Sequence, residues 1–403
     1  MEAPADTTWK RFTLAERDRR WAAVRKHAAE AGFDCILVPL CVDGRNQHLS
    51  LEQARGMRSD GRYLTLLENA AVILPTGGRA AIVISDLPGN AWIPEPRPVN
   101  GSWGAAMAQA LVECGMERAR IGVTGLERGK MVHGRAYAGV VNHTSYAELL
   151  RRMPNAKFEN DNDVVAYARY IKSQEEIDCL RRGAEIAAAG IEEMGRVARP
   201  GVSDAHLYTS VMHRMLELGS GYYPLALYTG PRDEVRLPRF EDPPLGRVLQ
   251  PNYRIHNETD ALWGGLIAQE QQGFLLGPVP DAWQRVVDLQ RDLFYTGLEV
   301  LKAGIVFGEF VDAVNGFGEK RGMKTLTLMH GRGYGDDGPL LTPQDRGEKT
   351  RDVVVHEGNV FIWKPIAMSG DEKIQYSWGG CIVITKTGAE QLVKRTPGMI
   401  SIQ

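Results

Sequence analysis

Apolar residues in "LAERDRRWAAVRKHAAEAG" (14–32) recur at three- and four-residue spacing and stop at a glycine, which predicts an amphipathic helix with its C-terminal cap. The run "CILVPL" (35–40) that follows reads as a buried strand. "NAAVILPTGGRAAIVIS" (69–85) reads as two strands joined by a turn at Thr76-Gly77-Gly78. A helical pattern over 104–114, a strand at "RIGVTG" (120–125) and a helix near 144–153 complete an α/β unit. The polar stretch "NAKFENDNDV" (155–164) then reads as the connection to a second domain.

The second part opens on "SQEEIDCLRRGAEIAAAGIEEMGRVA" (173–198), where Ser173 followed by Glu176 forms a capping-box signature. Arg199-Pro200-Gly201 ends that helix, and "GVSDAHLYTSVMHRMLELG" (201–219) supplies another. The same order, helix, (Pro/Ala)-Gly-(Val/Ile), turn, helix, returns about a hundred residues later at "AWQRVVDLQRDLFYTGLEVLKAG" and "GIVFGEFVDAVNGFGEKRG". Two ordinary helix hairpins would look alike; a duplication predicts a pseudo-twofold domain with a site between its halves. Strand-like segments follow each pair: "NYRIHNETDALWGGLIAQEQQGFLLG" (252–277), then "NVFIWKPIAMSG" (359–370) and "QYSWGGCIVITKTG" (375–388).

Composition narrows the function classes. The chain has 403 residues, enough for two cores, and a net charge of −2, so no global field favours nucleic acid or an anionic membrane. No apolar run approaches the ~20 residues of a membrane span, and the charged start lacks the apolar segment of a secretory signal. Five scattered cysteines (Cys35, Cys41, Cys114, Cys179, Cys381) without C-x-x-C spacing fit free thiols in a reducing compartment. The expectation is a cytoplasmic protein.

Chemistry is first suggested by "LMHGRGYGDDGP" (328–339), where His330 stands between an apolar run and a glycine-rich turn with Asp336 and Asp337 downstream. On these residues alone His330 reads equally as a metal ligand, a proton carrier or a buried histidine.

Taken together, "ARYIKSQEEIDCLRRGAEIA" (168–187), "RPGVSDAHL", "GRYLTLLENAAVILP", "GGLIAQEQQGFLLG", "MHGRGYGDDGP" and "VITKTGAEQL" resemble, in order and spacing, the creatinase, aminopeptidase P and prolidase superfamily (M24, pita-bread fold). The resemblance implies an α/β (α+β) protein: an N-terminal α/β creatinase-like domain over 1–163 and a C-terminal pseudo-twofold pita-bread domain over 164–403. Metal-dependent members of that superfamily hold two divalent cations with two aspartates, a histidine and two glutamates. Carried onto this chain, those positions fall on Glu258, Gln269, His330, Lys364 and Gly379. One ligand is kept, one becomes a longer acid, and three lose the capacity to bind metal. An ammonium beside the remaining carboxylate replaces the charge a cation would supply, and hard cations need more oxygen ligands than are left. The resemblance therefore implies no metal and no other cofactor. A register slip of one or two residues would instead bring Asp260 and Glu270 to His330 as a weak mononuclear site.

Creatinase shows, by resemblance, that this fold cleaves C–N bonds without metal. Its catalytic histidine is not matched: the corresponding stretch carries Arg239, Phe240 and Glu241, and its glutamates fall near Gln271 and on Gly379. The dimethylsulfoniopropionate lyases of the superfamily resemble the chain over 328–340, with Asp336 at the position of their base, which implies β-elimination as an alternative.

The expected catalytic set is thus His330, Glu258, Asp336, Asp337 and Lys364, with Asp336 and Asp337 equally readable as a turn pair. Lys364 serves either as a structural substitute for a cation or as a ligand for a substrate carboxylate or carbonyl. Expected substrate contacts are Glu270, Gln269, Arg239, Tyr334, Tyr376, Arg62 and Arg58; the two N-domain arginines are drawn from the family's dimers, in which an N-domain loop nears the partner's site. The leading expectation is a metal-independent, creatinase-like hydrolase acting on a small charged metabolite of amidine or N-acyl amino acid type. The partners expected are a small-molecule substrate and a second copy of the chain in a homodimer, without nucleic acid or membrane. Alternatives are a lyase, an Xaa-Pro-type metallopeptidase whose ligands are misregistered, and a non-catalytic binding protein.

Overall fold

The structure is a computed structural model that describes residues 11–39, 60–67, 69–127, 129, 131, 139, 141–161, 163–234, 246–342 and 350–403. Its chain divides into two compact units. One runs over Phe12–Ile171 and also takes in Tyr334–Pro339; the other comprises Lys172–Gly333 and Leu340–Gln403. The expected boundary after residue 163 thus lies at the end of the following helix, and a piece of the second half of the sequence belongs to the first unit.

In the N-terminal unit, β1 (Cys35–Val38), β2 (Ala71–Pro75), β3 (Ile82–Ile84), β4 (Arg120–Val123) and β5 (Lys157–Asn160) form one sheet in the order β3-β2-β1-β4-β5. β1, β4 and β5 are parallel, while β2 and β3 add an antiparallel edge. Helices α1 (Leu14–Glu30), α2 (Asp60–Thr65), α3 (Trp103–Glu113), α4 (His143–Arg152) and α5 (Val164–Tyr170) complete the unit. The segment read as a polar connector, 155–164, is in part the edge strand β5. It alternates exposed and half-buried residues, so its polarity reflects an edge position rather than a break in structure.

The C-terminal unit begins with α6 (Gln174–Val197), whose capping box forms as expected: the Ser173 side chain accepts from Glu176 N at 3.2 Å, and the Glu176 carboxylate accepts from Ser173 N at 3.0 Å. α7 (Asp204–Glu217) follows under a Ser203 cap. The second helix pair is α8 (Asp281–Val300) and α9 (Phe307–Asn315). Its strands are β6 (Ala226–Pro231), β7 (Tyr253–Trp263), β8 (Leu266–Gln271), β9 (Phe274–Leu276), β10 (Lys324–Leu326), β11 (Met329–Gly331), β12 (Leu340–Leu341), β13 (Val360–Trp363), β14 (Ile366–Met368), β15 (Gln375–Ser377), β16 (Gly379–Ile384), β17 (Ala389–Gln391) and β18 (Ile400–Ile402).

The pseudo-twofold is visible in the pairing. β6-β7-β8 is an antiparallel ladder, β11-β13-β16 is another, and the two meet where β16 pairs with β8. At that seam Gly379 faces Gln271 and Gly380 faces Glu270. β7, β8, β13 and β16 are buried almost throughout; β13 and β16 are apolar runs, whereas β7 over 254–260 and β8 over 269–271 are largely polar. That buried polar segment marks the place where the sheet does something other than pack.

Candidate active site

Residues two apart on a strand share a face, so Arg254, His256, Glu258 and Asp260 form a polar stripe along β7. Asp260 pairs with Gln269 of β8 and Thr259 with Glu270, which puts Gln269 and Gln271 on the stripe's face and Glu270 on the other. Side-chain contacts agree. Gln269 Nε2 donates to Asp260 at 3.0 and 3.1 Å and reaches Glu258 Oε2 at 3.4 Å, while its Oε1 accepts from Lys364 Nζ at 2.9 Å. Lys364 also donates to Glu258 Oε1 in a buried ion pair. Arg332 closes the other end, donating to Asp260 Oδ1 at 2.7 Å with both side chains fully buried.

Two carboxylates, an ammonium and a guanidinium thus neutralise one another through one shared amide. Burying charges is costly unless each is paired and hydrogen-bonded, and here each is. Glu258, Gln269 and Lys364, separated by as many as 106 positions in the chain, lie within hydrogen-bonding distance of one another. Gly379, at the remaining position, leaves no room for a side chain. A Cβ built there would lie 2.0 Å from the Trp363 carbonyl oxygen and 2.6 Å from Lys364 Cα.

The other expected residues are distributed differently. His330 lies on β11 opposite Ile362 of β13, fully buried, with Nδ1 3.3 Å from the Gly331 carbonyl. Glu270 faces away from the stripe and accepts from Arg395 Nη1 at 2.8 Å and from Cys381 N at 3.1 Å. Burial pushes its carboxyl up to about 7, against the opposing pull of Arg395. The Tyr376 hydroxyl donates to Gly398 O at 2.7 Å.

Tyr334, Asp336 and Asp337 belong to the N-terminal unit. There Arg169 bridges Asp60 (2.7 Å) and Asp337, and Asp337 also accepts from Tyr334 N at 3.0 Å. Burial by itself would pull the Arg169 guanidinium down; Asp337 and Asp60 together hold it above its ordinary range. The Tyr334 hydroxyl accepts from Arg20, whose buried guanidinium also lies within 5.3 Å of the ring centres of Phe12, Tyr63, Trp92 and Tyr334. Arg62 is half-buried on α2, and Arg58 and Arg239 lie outside the described residues.

Sequence reasoning passed over His256, Arg332 and Ser377. His256 is half-buried on the stripe beside Glu258, and its Nε2 lies 3.2 Å from Gln271 Nε2. Burial pulls the imidazole down to about 4; Glu258 opposes this, while Arg254 and Lys364 reinforce it. The signal lay in "RIHNETD", where six of seven residues are polar in a strand flanked by apolar positions.

A sequence profile of the metallopeptidase family M24 matches residues 178–388, just over half of the chain. The chain belongs to family M24. Its relatives include methionine aminopeptidase 1 of Dictyostelium discoideum, 23% identical over 256 residues, spanning 57% of this chain and 68% of that protein. The ectoine hydrolase of Halomonas elongata is 24% identical over 265 residues, covering 62% of this chain and 64% of its own. The X-Pro aminopeptidase structure from Thermotoga maritima superimposes with a TM-score of 0.72 at 15% identity, over 95% of this chain and 99% of that one. The pita-bread fold expected from the sequence is therefore the fold of this member of a hydrolase family, and no helix among the described residues is long and apolar enough to cross a membrane.

The paired cations of the family's metallopeptidases do not fit the residues present. Among the described residues no group of three or more His, Cys, Asp or Glu is arranged to hold a metal ion. Lys364 already supplies the positive charge at Glu258, and Arg332 supplies it at Asp260. A divalent ion about 4 Å from that ammonium would be repelled by roughly 8 kcal/mol at an effective dielectric of about 20.

Proposed function

We propose that this member of family M24 hydrolyses a C–N bond in a small charged metabolite with side chains in place of metal ions. The observation that carries the reading is the ammonium of Lys364 held between Glu258 and Gln269, where the family's metallopeptidases place cation ligands. An ectoine hydrolase among the chain's relatives, beside its aminopeptidases, supports a small-metabolite substrate.

In this reading Glu258 takes a proton from water as the oxygen attacks the carbon of an acyl or amidine group. Lys364 steadies the negative charge that gathers on the atom doubly bonded to that carbon. The C–N bond then breaks, the nitrogen leaves with the proton Glu258 took up, and the carbon keeps the hydroxyl. His330, sealed in the sheet, orders the strand that carries it.

The test is turnover of a panel of N-acyl amino acids and amidines by chelator-treated protein of measured metal content. Turnover that persists below a tenth of an ion per chain, and falls by about 10²-fold or more in Glu258→Gln, is the expected result. A requirement for two divalent ions per chain would overturn the reading.

A further inference from the structure

Lys364 and Gly379 both stand where the chain passes between two sheets. β13 and β16 belong to the large sheet, whereas β14 and β15 pair with β10 in a separate three-stranded sheet. Lys364 and Pro365 join β13 to β14, and Trp378 alone joins β15 to β16. Gln290 of α8, fully buried, spans the two crossings: its Nε2 donates to Trp378 O at 2.7 Å and to Pro365 O at 3.3 Å. Carbonyl oxygens only accept, so two of them facing one end of the amide fix that end as the nitrogen. Among the described residues Gln290 Oε1 has no hydrogen-bond partner, and a buried acceptor left unpaired costs stability. An apolar side chain of similar length would avoid that cost but release both carbonyls.

One face of α8 makes the rest of the joint. Residues 290, 294 and 297 lie at helical spacing along it. The Phe294 carbonyl accepts from Trp363 Nε1 at 3.1 Å, and the Phe294 ring meets Trp378 edge-on at 4.9 Å between centroids. Gly297 leaves the space that the Trp363 indole fills; a Cβ there would lie 2.6 Å from the ring. Trp363 and Pro365, the neighbours of Lys364 on either side, are thus both tied to α8, and Lys364 N donates to Leu328 O at 3.1 Å. The backbone that sends the ammonium toward Glu258 and Gln269 is held at Lys364 itself and at both of its neighbours.

We infer that Gln290 is a positioning residue: by tying the two crossings together from α8 it fixes where Lys364 places its charge between Glu258 and Gln269. Pinning the root of a long flexible side chain lowers the entropy it must lose to make both contacts. The inference rests on the hydrolase reading for its effect on turnover, but not for the coupling of Gln290 to the ion pair.

The test is urea unfolding of full-length protein carrying Gln290→Met, which keeps the bulk of the side chain and removes its donors. The substitution is compared in wild type and in a Lys364→Met, Glu258→Leu background, which has no ion pair to position. A clamp that served the fold alone would lose the same in both. Gln290→Met should instead lower the folding equilibrium constant about fivefold more in wild type than in that background, as expected for coupled residues. Equal losses, or a larger loss in the background, would overturn the inference. Reductive methylation of the native protein, read by mass spectrometry, is an independent measure. Lys364 should react at least about fivefold faster in Gln290→Met than in wild type, while Lys172, also buried, keeps its rate. An unchanged rate at Lys364, or a matching rise at Lys172, would equally overturn it. Where the wild-type background does not tolerate Gln290→Met, Gln290→Asn, one methylene shorter, makes the same two comparisons. If the coupling is found yet no N-acyl compound or amidine is turned over, the positioning stands and the hydrolase reading falls. Turnover that needs Lys364 but stays within about twofold of wild type in Gln290→Met would end the positioning role alone.

Discussion

The Lys364 ammonium and the Glu258 carboxylate form an ion pair in which neither side chain is more than 9% exposed. Removing one member of such a pair leaves the other buried and uncompensated. Lys364→Met should therefore cost about 3–5 kcal/mol, whereas Lys364→Met with Glu258→Leu should recover most of the loss. Urea unfolding of the two single variants and the double closes the cycle; additive losses would mean that the two groups do not act as a pair.

Gly379 is predicted to tolerate no side chain. Gly379→Ala drives a Cβ into the Trp363 carbonyl, which is backbone and cannot rotate away, so a loss of at least about 3 kcal/mol is expected. Gly246, where a Cβ would meet nothing within 4 Å, provides the control, and Gly246→Ala should unfold close to wild type. Equal melting of the two variants would refute the packing argument.

Glu270 gives a pH signature. Its folded carboxyl lies near 7 against an ordinary 4.5, so the folded state holds the proton more tightly. That contribution is complete below pH 4.5 and is lost as pH rises through 7. Glu270→Gln, which cannot ionise, should gain on wild type between pH 5 and 8, by on the order of 3 kcal/mol at the upper end. Denaturant midpoints for both proteins at several pH values measure the difference; parallel profiles would contradict it.

Arg169 pairs with two buried carboxylates, Asp60 and Asp337. Arg169→Met should destabilise the N-terminal unit by about 3–5 kcal/mol, and Asp337→Asn by less, because one ion pair survives. Tryptophan fluorescence of unfolding checks the order of the two effects.

Most of the fold was legible because it is written in periodicity. The capping box at Ser173, the helix pairs and the β7–β8 hairpin appear where the apolar spacing put them. β5 escaped because an edge strand with one solvated face has the composition of a loop. In the site, the grouping of Glu258, Gln269 and Lys364 followed from a resemblance and depends on strand register, which the alternation across β7 and β8 specifies. The role of Asp337 was not legible: its partner Arg169 lies 168 residues away, and nothing local to "YGDDGP" distinguishes a turn, a base and half of an ion pair. His256 was missed for a different reason. A lone histidine in a strand reads as packing until Gln271 and Ser377, from two other strands, are set beside it.

The contribution of Tyr334–Pro339 to the N-terminal unit has a consequence for how the protein is made. Arg20 and Arg169 are translated long before the tyrosine and aspartate that receive them, with 168 residues separating Arg169 from Asp337. At about 5–20 residues per second on the ribosome, the first half of the nascent chain waits on the order of ten seconds before Asp337 joins Asp60 at Arg169. Completion of the N-terminal unit is therefore postponed until at least residue 339 has emerged.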